Sequence, residues 1–514
     1  MKQILILSCS ALAFSVVAAH AGNGNASSLS QVNMAGAGNT GTITQIGDNN
    51  NSIVQQINTA GGGNTATVMQ TGSNNIAGTN NSSASMNGQM VQDGASNVLD
   101  IRQDDNQMVS RVNQSGDQNT ATINQRANGA PSDRTPDHRV WRVNQTGQAG
   151  AATTQNSLEI TQRDDTNVVH RVIQRNTSVT GGVNTATITQ RGSYNGANID
   201  GVPPDTSLTT TSHGATLIQV GSANDTKADQ RGERNNFWLE SRGDGNMVDL
   251  VQDANSVQSY TKSVITGDMN DAGYRQTGDS QDIDVALNDG SNFMIRAHQS
   301  GSSNNVDYVG VGTNGKVSIQ QTGSGNSFSG HSWGNKQYIA VKQSGDDNYV
   351  GIDGLNGSNT NKFYVLQTTS DNGVHVGVVD GFHNRLQFIQ KGGDGNQINF
   401  GDVYGDQNKI FLTQNGTGNN ITGNVGDTSD TDRSNDNRIQ VAQIGDHNVA
   451  GVSITGSHNR AMVGQRGNLN VADVIQSGDS NSATIMQGSA SVNLPTIMTD
   501  TSVPFQTLDG AGGW

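Results

Sequence analysis

The stretch Gln114-Ser-Gly-Asp-Gln-Asn-Thr-Ala-Thr-Ile-Asn-Gln125 contains the pattern that decides the fold of this chain. From Asn119 to Gln125 every second residue shares one face, which includes Ala121 and Ile123. Such period-two alternation is typical of a β-strand with one buried and one solvated face. Gly116 and its neighbours predict a turn before the strand, because Gly tolerates positive φ and Asp and Asn bond their own backbone there. The unit is a β-arc, a strand of about six residues and a turn of about five.

The same arc recurs along most of the chain. The pattern Gln-x-Gly-x-x-Asn occurs about fourteen times, where about one occurrence is expected by chance. It begins at Gln45, Gln70, Gln92, Gln114, Gln190, Gln219, Gln230, Gln299, Gln321, Gln343, Gln414, Gln443, Gln465 and Gln476. Self-similarity of this kind indicates a tandem array, whose stacked units suggest a fibre or a surface before an enzyme.

Spacing predicts how the arcs join. Gln443, Ile454, Gln465, Gln476 and Gln487 follow one another at steps of eleven residues, and elsewhere the anchor also alternates between Gln and another residue. The alternation indicates a repeat of roughly 22 residues, a strand-turn-strand coil made of two 11-residue arcs. We therefore expect an all-β parallel solenoid of about 20 coils, with like residues stacked ~4.8 Å apart.

Stacking predicts ladders of Gln and Asn at the strand ends, in which each buried amide satisfies the one above and below. The ladder candidates, which we expect to guide assembly, are Gln45, Asn50, Gln92, Asn97, Gln114, Asn119, Gln125, Gln219, Asn224, Gln230, Gln343, Asn348, Gln443, Asn448, Gln465, Asn470, Gln476, Asn481 and Gln487. The turn candidates are Gly47, Gly116, Gly221, Gly345, Gly445, Gly467 and Gly478.

The chain has too few apolar residues for one large core. Only 32% of its residues are hydrophobic, against the usual ~45–50% of globular domains. Periodic Ala and Val or Ile positions predict a thin apolar strip instead. By the same parity, Trp141 and Phe237 are expected to point inward and Trp238 outward.

The termini and prolines divide the chain. Residues 1–21 resemble a secretory signal peptide, with Lys2, an apolar stretch and an Ala19-His20-Ala21 cleavage site. A Gly/Asn/Ser-rich segment (22–40), the repeat solenoid (41–490) and a tail or cap (491–514) are expected to follow. Because Pro cannot donate to a strand ladder, insertions are predicted near 126–139 and 197–214, with a third, proline-free insertion near 424–436.

Net charge and hydropathy argue against two kinds of partner, nucleic acid and the membrane interior. The formal net charge of -15 argues against nucleic acid, whose phosphates require clustered Lys and Arg. No segment after the signal approaches the ~20 apolar residues of a membrane span, so the mature chain is expected to have no transmembrane segment.

The repeats resemble the curlin repeat of curli fibre subunits, and the likeness extends from about Thr40 to Gln487. Asn119-Thr-Ala-Thr-Ile-Asn-Gln125 and Asn481-Ser-Ala-Thr-Ile-Met-Gln487 are the most similar copies. The resemblance implies a functional amyloid that self-assembles or co-assembles with other curlin-repeat subunits. It also implies export across the inner membrane, periplasmic chaperones and an outer-membrane secretion pore. The fimbria-like fibre would lie at the surface of a Gram-negative bacterium and serve adhesion and biofilm formation.

The leading interpretation is therefore a structural subunit, whether major, minor or nucleating. The chain is unusually long for the family and has proline-containing insertions, so its role within a fibre stays open. The alternative is a capped, soluble, secreted β-solenoid that binds a surface or ligand, adhesin-like or ice-binding through Thr pairs such as Thr65/Thr67 and Thr120/Thr122. We expect no enzyme, cofactor or metal site, because the Asp clusters fall at turns and the His residues lack ligand spacing.

Overall fold

The computed structural model describes residues 20–34, 36–59, 61–80, 87–127, 138–164, 166–180, 182–193, 195, 215–287, 293–313, 315–331, 334, 338–352, 354, 362–426 and 434–488. Strands are the only regular secondary structure over these residues. Every strand pair except one short antiparallel hairpin is parallel, so the predicted parallel β-solenoid is confirmed. No helix in the described part of the chain is long and apolar enough to cross a membrane.

The chain divides into two compact units, residues 1–269 and 270–514, called here the N-terminal and C-terminal units. The strands of the N-terminal unit are β1 (His20–Ala21), β2 (Ala26–Asn33), β3 (Thr40–Ile46), β4 (Asn51–Asn58), β5 (Thr65–Thr71), β6 (Ile76–Ala77), β7 (Thr79–Asn80), β8 (Asn87–Gly88), β9 (Met90–Asp93), β10 (Val98–Asp104), β11 (Gln107–Val109), β12 (Val112–Ser115), β13 (Asn119–Ala127), β14 (His138–Thr146), β15 (Asn156–Asp164), β16 (Val168–Arg175), β17 (Asn184–Gln190), β18 (Ala215–Val220), β19 (Asp225–Gln230), β20 (Trp238–Arg242), β21 (Met247–Gln252) and β22 (Lys262–Ile265).

The strands of the C-terminal unit are β23 (Asp271–Asp279), β24 (Asp284–Val285), β25 (Met294–Ser302), β26 (Ile319–Ser324), β27 (Val341–Ser344), β28 (Val365–Gln367), β29 (Gly373–Val376), β30 (Val379–Asp380), β31 (Phe388–Lys391), β32 (Gln397–Tyr404), β33 (Lys409–Asn415), β34 (Asn420–Val425), β35 (Arg438–Ile444), β36 (Val449–Thr455), β37 (Arg460–Arg466), β38 (Val471–Ser477) and β39 (Ser482–Gln487).

Within each unit, strands stack in two parallel sheets, called the first and second sheets. In the N-terminal unit the first sheet contains β1, β3, β5, β10, β13, β15, β17, β19 and β21, and the second sheet contains β2, β4, β6, β9, β11, β12, β14, β16, β18, β20 and β22. In the C-terminal unit the first sheet contains β23, β25, β26, β27, β28, β31, β33, β35, β37 and β39, and the second contains β29, β30, β32, β34, β36 and β38. Strand β7 pairs antiparallel with β8.

The register confirms the two-arc coil. Val441, Val463 and Ile485 stack on one another at steps of 22 residues in the first sheet, while Val452 and Val474 do so in the second. Successive arcs therefore alternate between the sheets, as the alternating anchors predicted. Side chains of one parity from both sheets form the core, and those of the other parity face outward.

The core is thin and changes along the chain. In β13, Ala121 and Ile123 are fully buried, as parity predicted. In the C-terminal unit aromatic rings fill this space, and the rings of Phe363 and Phe388 lie 5.4 Å apart. The inward position predicted for Trp141 is wrong: Trp141 is only half-buried, because two residues separate the buried Val140 from the next buried residue of β14. Such an extra residue shifts the parity of a strand.

The predicted domain limits meet the described structure only in part. The predicted signal (1–21) and tail (491–514) lie outside the described residues except for His20 and Ala21, which pair with Gln45 and Ile46. Most of each predicted insertion (126–139, 197–214 and 424–436) also lies outside them. The segment 22–40, which we placed before the solenoid, contains β2 in register with β4.

Candidate assembly interface

One unbroken column of Gln side chains fills a single strand-end position in the first sheet of each unit. Its members in the N-terminal unit are Gln45, Gln70, Gln103, Gln125, Gln162, Gln190, Gln230 and Gln252, joined at 2.7–2.9 Å. Those in the C-terminal unit are Gln276, Gln299, Gln321, Gln343, Gln367, Gln390, Gln414, Gln443, Gln465 and Gln487, joined at 2.7–3.2 Å. In every bond the Nε2 of the earlier Gln donates to the Oε1 of the next, so the column has a direction.

A second Gln column lies in the second sheet of the N-terminal unit. Gln31, Gln56, Gln92, Gln114, Gln145, Gln174 and Gln219 are joined at 2.6–2.9 Å. It ends where Ser241 stacks on Gln219, whose Nε2 instead donates to Thr226 Oγ1 (2.9 Å). In the C-terminal unit the corresponding position holds Val379, Val403, Val425 and Ile454 before Gln476.

Asn columns occupy the starts of the strands and bond the backbone. The Oδ1 of Asn326 accepts both the backbone N–H and the Nδ2 of Asn348, at 3.2 and 3.1 Å. The Nδ2 of Asn326 donates in turn to the carbonyl of Gly345 at 2.8 Å. Asn326 therefore contacts both the strand start and the turn of the next coil, which satisfies its buried amide.

All but one of the predicted ladder residues lie in these columns; the exception is Gln476, which stacks on Ile454 and bonds no other Gln among the described residues. Gln45, Gln125, Gln230, Gln343, Gln443, Gln465 and Gln487 lie in the first sheets, and Gln92, Gln114, Gln219 and Gln476 lie in the second. The predicted Asn residues, Asn50, Asn97, Asn119, Asn224, Asn348, Asn448, Asn470 and Asn481, accept from or donate to an Asn of an adjacent coil. Their role in assembly stays a prediction.

Backbone conformation at the predicted turn glycines fits their turns. Gly47, Gly116, Gly221, Gly345, Gly445, Gly467 and Gly478 all have positive φ, between 75° and 124°. At Gly445 a Cβ would also come within 2.3 Å of the carbonyl oxygen of Gly467 in the next coil. A side chain there would therefore disturb the stacking of turns as well as the turn itself.

Sequence reasoning missed two kinds of contact between coils. The turn Asp residues were explained by local bonds, yet the Oδ1 of Asp117 and of Asp346 accepts a backbone N–H of the preceding coil, each at 2.7 Å. His138 also replaces an Asn within a column, and its Nδ1 accepts the backbone N–H of Asn167 at 3.1 Å. A His at this place carries no repeat signal that could have revealed it.

The outward Thr pairs do not form a continuous surface. Thr65 and Thr67 stack on Val98 and Asp100, which in turn stack on Thr120 and Thr122. A regular array of hydroxyl and methyl groups is therefore interrupted by a carboxylate. Among the described residues no group of three or more His, Cys, Asp or Glu side chains could hold a metal ion.

Comparison with protein families identifies the repeat. Residues 36–72, 435–467 and 459–488 match the family model described as the curlin associated repeat. The resemblance drawn from the sequence is confirmed at these three places, which include the copy at Asn481 but not the one at Asn119. No curated protein matches the chain. The repeat and the parallel solenoid together favour a structural, non-enzymatic protein.

Proposed function

We propose that this chain, which carries curlin associated repeats, is a structural subunit of extracellular curli-like amyloid fibres and joins them by stacking coil on coil. The observation that carries the proposal is the direction of the Gln columns, since a column with a donor end and an acceptor end can continue into another copy. Adhesion, biofilm formation and export by periplasmic chaperones and an outer-membrane pore belong to the same proposal and rest on the family resemblance.

In the last described coil of the C-terminal unit, several groups lack contacts that the same groups make in earlier coils. Strand β39 pairs with β37 alone among the described strands. Gln465 Nε2 donates to both Gln487 and the Val449 carbonyl, whereas Gln487 Nε2 donates only to the Val471 carbonyl, at 2.7 Å. A Cβ at Gly467 would meet no atom closer than 3.8 Å, unlike one at Gly445. A further coil, supplied by a second copy, would complete these contacts.

The first described coils of the N-terminal unit offer the complementary acceptors. The Oε1 of Gln45 is buried and has no hydrogen-bond partner among the described residues. The residues paired with Gln45 and Ile46 are His20 and Ala21, the last two of the predicted signal peptide. Cleavage after Ala21 would remove β1 and leave the edge of β3 open for pairing.

Fibre formation by the protein from Gly22 onward tests the proposal. After dilution from denaturant we expect a lag, a rise in thioflavin fluorescence, unbranched fibres by negative-stain electron microscopy and a ~4.8 Å reflection along the fibre axis. A monodisperse protein that stays soluble for days would contradict the proposal and favour the capped solenoid.

A substitution in the last strand tests the stacking itself. The backbone N–H of Arg460 points from β37 towards β39, and by the alternation of a parallel ladder the N–H of Thr484, two residues after the partner of Arg460, points away from β37. Thr484→Pro removes that free donor and should slow fibre growth at least ~10-fold, since Pro blocks edge pairing. The matched control, Thr484→Ala, should grow as the wild type does; equal growth of all three would exclude stacking at this edge.

A further inference from the structure

A column of cations lies on the outward face of the first sheet of the C-terminal unit. Register stacks Lys316 on Tyr338, Tyr338 on Lys362, and each further cation on the one before it. The cationic column consists of Lys316, Lys362, Arg385, Lys409, Arg438 and Arg460. Its seven rungs, including Tyr338, are ~4.8 Å apart, so the column is about 29 Å long. Steps of 22 to 29 residues separate successive rungs in the sequence, so the column cannot be recognised from composition.

Most of these cations lack a counter-charge. Lys316, Lys362, Lys409 and Arg460 are exposed and form no salt bridge with any residue that the structure describes. Like charges on directly neighbouring strands destabilise a sheet. A sheet face that keeps such a row, in a chain of net charge -15, therefore retains an unfavourable arrangement that a bound polyanion would relieve.

Cations on the N-terminal unit are arranged differently. Arg102 lies 3.1 Å from Asp100, Lys227 lies 3.9 Å from Asp225, and Arg231 donates to Asp229 at 2.9 Å. Each of these pairs is formed by residues two apart in the sequence. The first-sheet outward column that stacks Thr65, Val98 and Thr120 contains no cation at these rungs. The N-terminal unit also brings Arg111 and Arg171 close to Arg142, but this cluster of three cations is shorter than the row on the C-terminal unit.

Aromatic side chains support the middle of the column. The Arg385 guanidinium lies 5.9 Å from the ring centroid of Tyr364 and 5.1 Å from that of Phe411. The Tyr338 and Tyr364 rings are 6.0 Å apart, and the Lys316 ammonium lies 5.9 Å from the Tyr338 ring. These cation–π contacts hold the charges in place. Because the rings are already engaged by cations and by each other, they serve as supports more readily than as platforms for stacked bases.

We propose that the cationic column binds a linear acidic polysaccharide with one carboxylate on each sugar. From Lys362 to Arg460 a cation occupies every rung, ~4.8 Å from the next, a spacing similar to the length of one hexose in an extended chain. Arg385, Arg438 and Arg460 can each bind a carboxylate in a bidentate manner. A nucleic-acid duplex fits less well, because its phosphates wind around the helix axis and only some of them can face one row of cations.

Binding of polygalacturonate to the full chain from Gly22 onward tests this proposal. We expect titration calorimetry to show saturable binding that weakens between 50 and 200 mM NaCl, as counterion release requires, and no binding of neutral dextran. The double variant Lys362→Gln/Lys409→Gln should bind at least ~10-fold more weakly, with a shallower salt dependence. Because both side chains are exposed, its circular dichroism should match that of the wild type.

The matched control changes the same charge elsewhere. Lys227→Gln/Arg231→Gln removes two cations that are already paired with Asp residues, and should leave the affinity within ~2-fold of the wild type. Equal loss in both double variants would reduce the effect to net charge and overturn the proposal. So would absence of polygalacturonate binding, or tighter binding of a single- or double-stranded DNA of equal charge. Fibre formation is scored separately and does not enter these outcomes.

Discussion

The second sheets of the two units fill the same strand-end position with different kinds of side chain. In the N-terminal unit the strand-end position holds seven hydrogen-bonded Gln side chains, from Gln31 to Gln219. In the C-terminal unit the same position holds buried aliphatic residues from Val379 to Ile454. An amide column needs every member, because each side chain satisfies two others, whereas an aliphatic column needs only volume. The comparison predicts that equal substitutions will have unequal costs.

Breaking the amide column inside the N-terminal unit should have the largest effect. Gln145→Leu keeps the approximate volume but leaves the Oε1 of Gln174 without the donor that it now meets at 2.9 Å. It also removes the 2.8 Å bond from Gln114 Nε2, which keeps its bond to the Val98 carbonyl. All three side chains are fully buried. At about 1–3 kcal/mol for the unsatisfied oxygen and about 1 kcal/mol for the lost hydrogen bond, we expect the free energy of unfolding in urea to fall by about 2–4 kcal/mol.

The outward neighbour provides the control for Gln145. Thr146→Ala changes a half-buried side chain of the same strand and should cost less than about 0.5 kcal/mol. If Gln145→Leu were as mild as Thr146→Ala, cooperative satisfaction along the column would not be what stabilises the N-terminal unit.

The sequence predicted the arc, the parallel solenoid and the two-arc coil, because each follows from a short pattern that repeats along the chain. It did not predict which residues stack on which: Gln174 bonds Gln219 across 45 residues, while Gln443 bonds Gln465 across 22. Insertions change the chain length of a coil without changing its register. The extra residue in β14 that turns Trp141 outward, and the gathering of distant cations into one column, likewise depend on stacking and leave no local signal.

Gln465 and Gln476 both begin a Gln-x-Gly-x-x-Asn motif, yet only Gln465 lies in an amide column of the C-terminal unit. Gln465 accepts from Gln443 (2.9 Å) and donates to Gln487 (2.8 Å). Gln476 stacks on Ile454, the end of the aliphatic column, and its buried Oε1 has no partner among the described residues. We expect Gln465→Leu to lower the free energy of unfolding by about 1–3 kcal/mol, and Gln476→Leu to change it by less than about 1 kcal/mol.

Urea titrations of the two variants, at protein concentrations low enough to keep the chain monomeric, test this prediction. Gln476→Leu loses one bond, to the carbonyl of Arg460 at 3.1 Å, and also removes a buried unpaired oxygen, so its two effects oppose each other. A cost for Gln476→Leu as large as that for Gln465→Leu would mean that the motif, and not the neighbour in the column, sets the energy.

Clusters of like charge also distinguish the two units, and they give the smallest expected effect on stability. In the N-terminal unit burial, Arg111 and Arg171 lower the pKa of Arg142, yet an arginine stays charged at every accessible pH. In the C-terminal unit burial, Asp284 and Asp307 raise the pKa of Asp282 above its ordinary 3.8. The arginines of the N-terminal cluster therefore add no pH dependence of their own, whereas the carboxylate cluster of the C-terminal unit should make its stability depend on pH.

The sign for Asp282 follows from the raised pKa. The Asp282 carboxyl is harder to ionise in the folded protein than in the unfolded chain. Its contribution to the free energy of unfolding is therefore complete below about pH 3.8 and is lost as the pH rises through the higher folded pKa. Asp282→Asn removes this loss. We expect the variant to exceed the wild type at pH 7 by about 0.5 kcal/mol, since the side chain is only half-buried, and to match it near pH 3. Asp473→Asn, at an exposed position of the same unit, serves as the control. A difference for Asp282→Asn that persisted unchanged at pH 3 would show that repulsion in this cluster does not distinguish the two units.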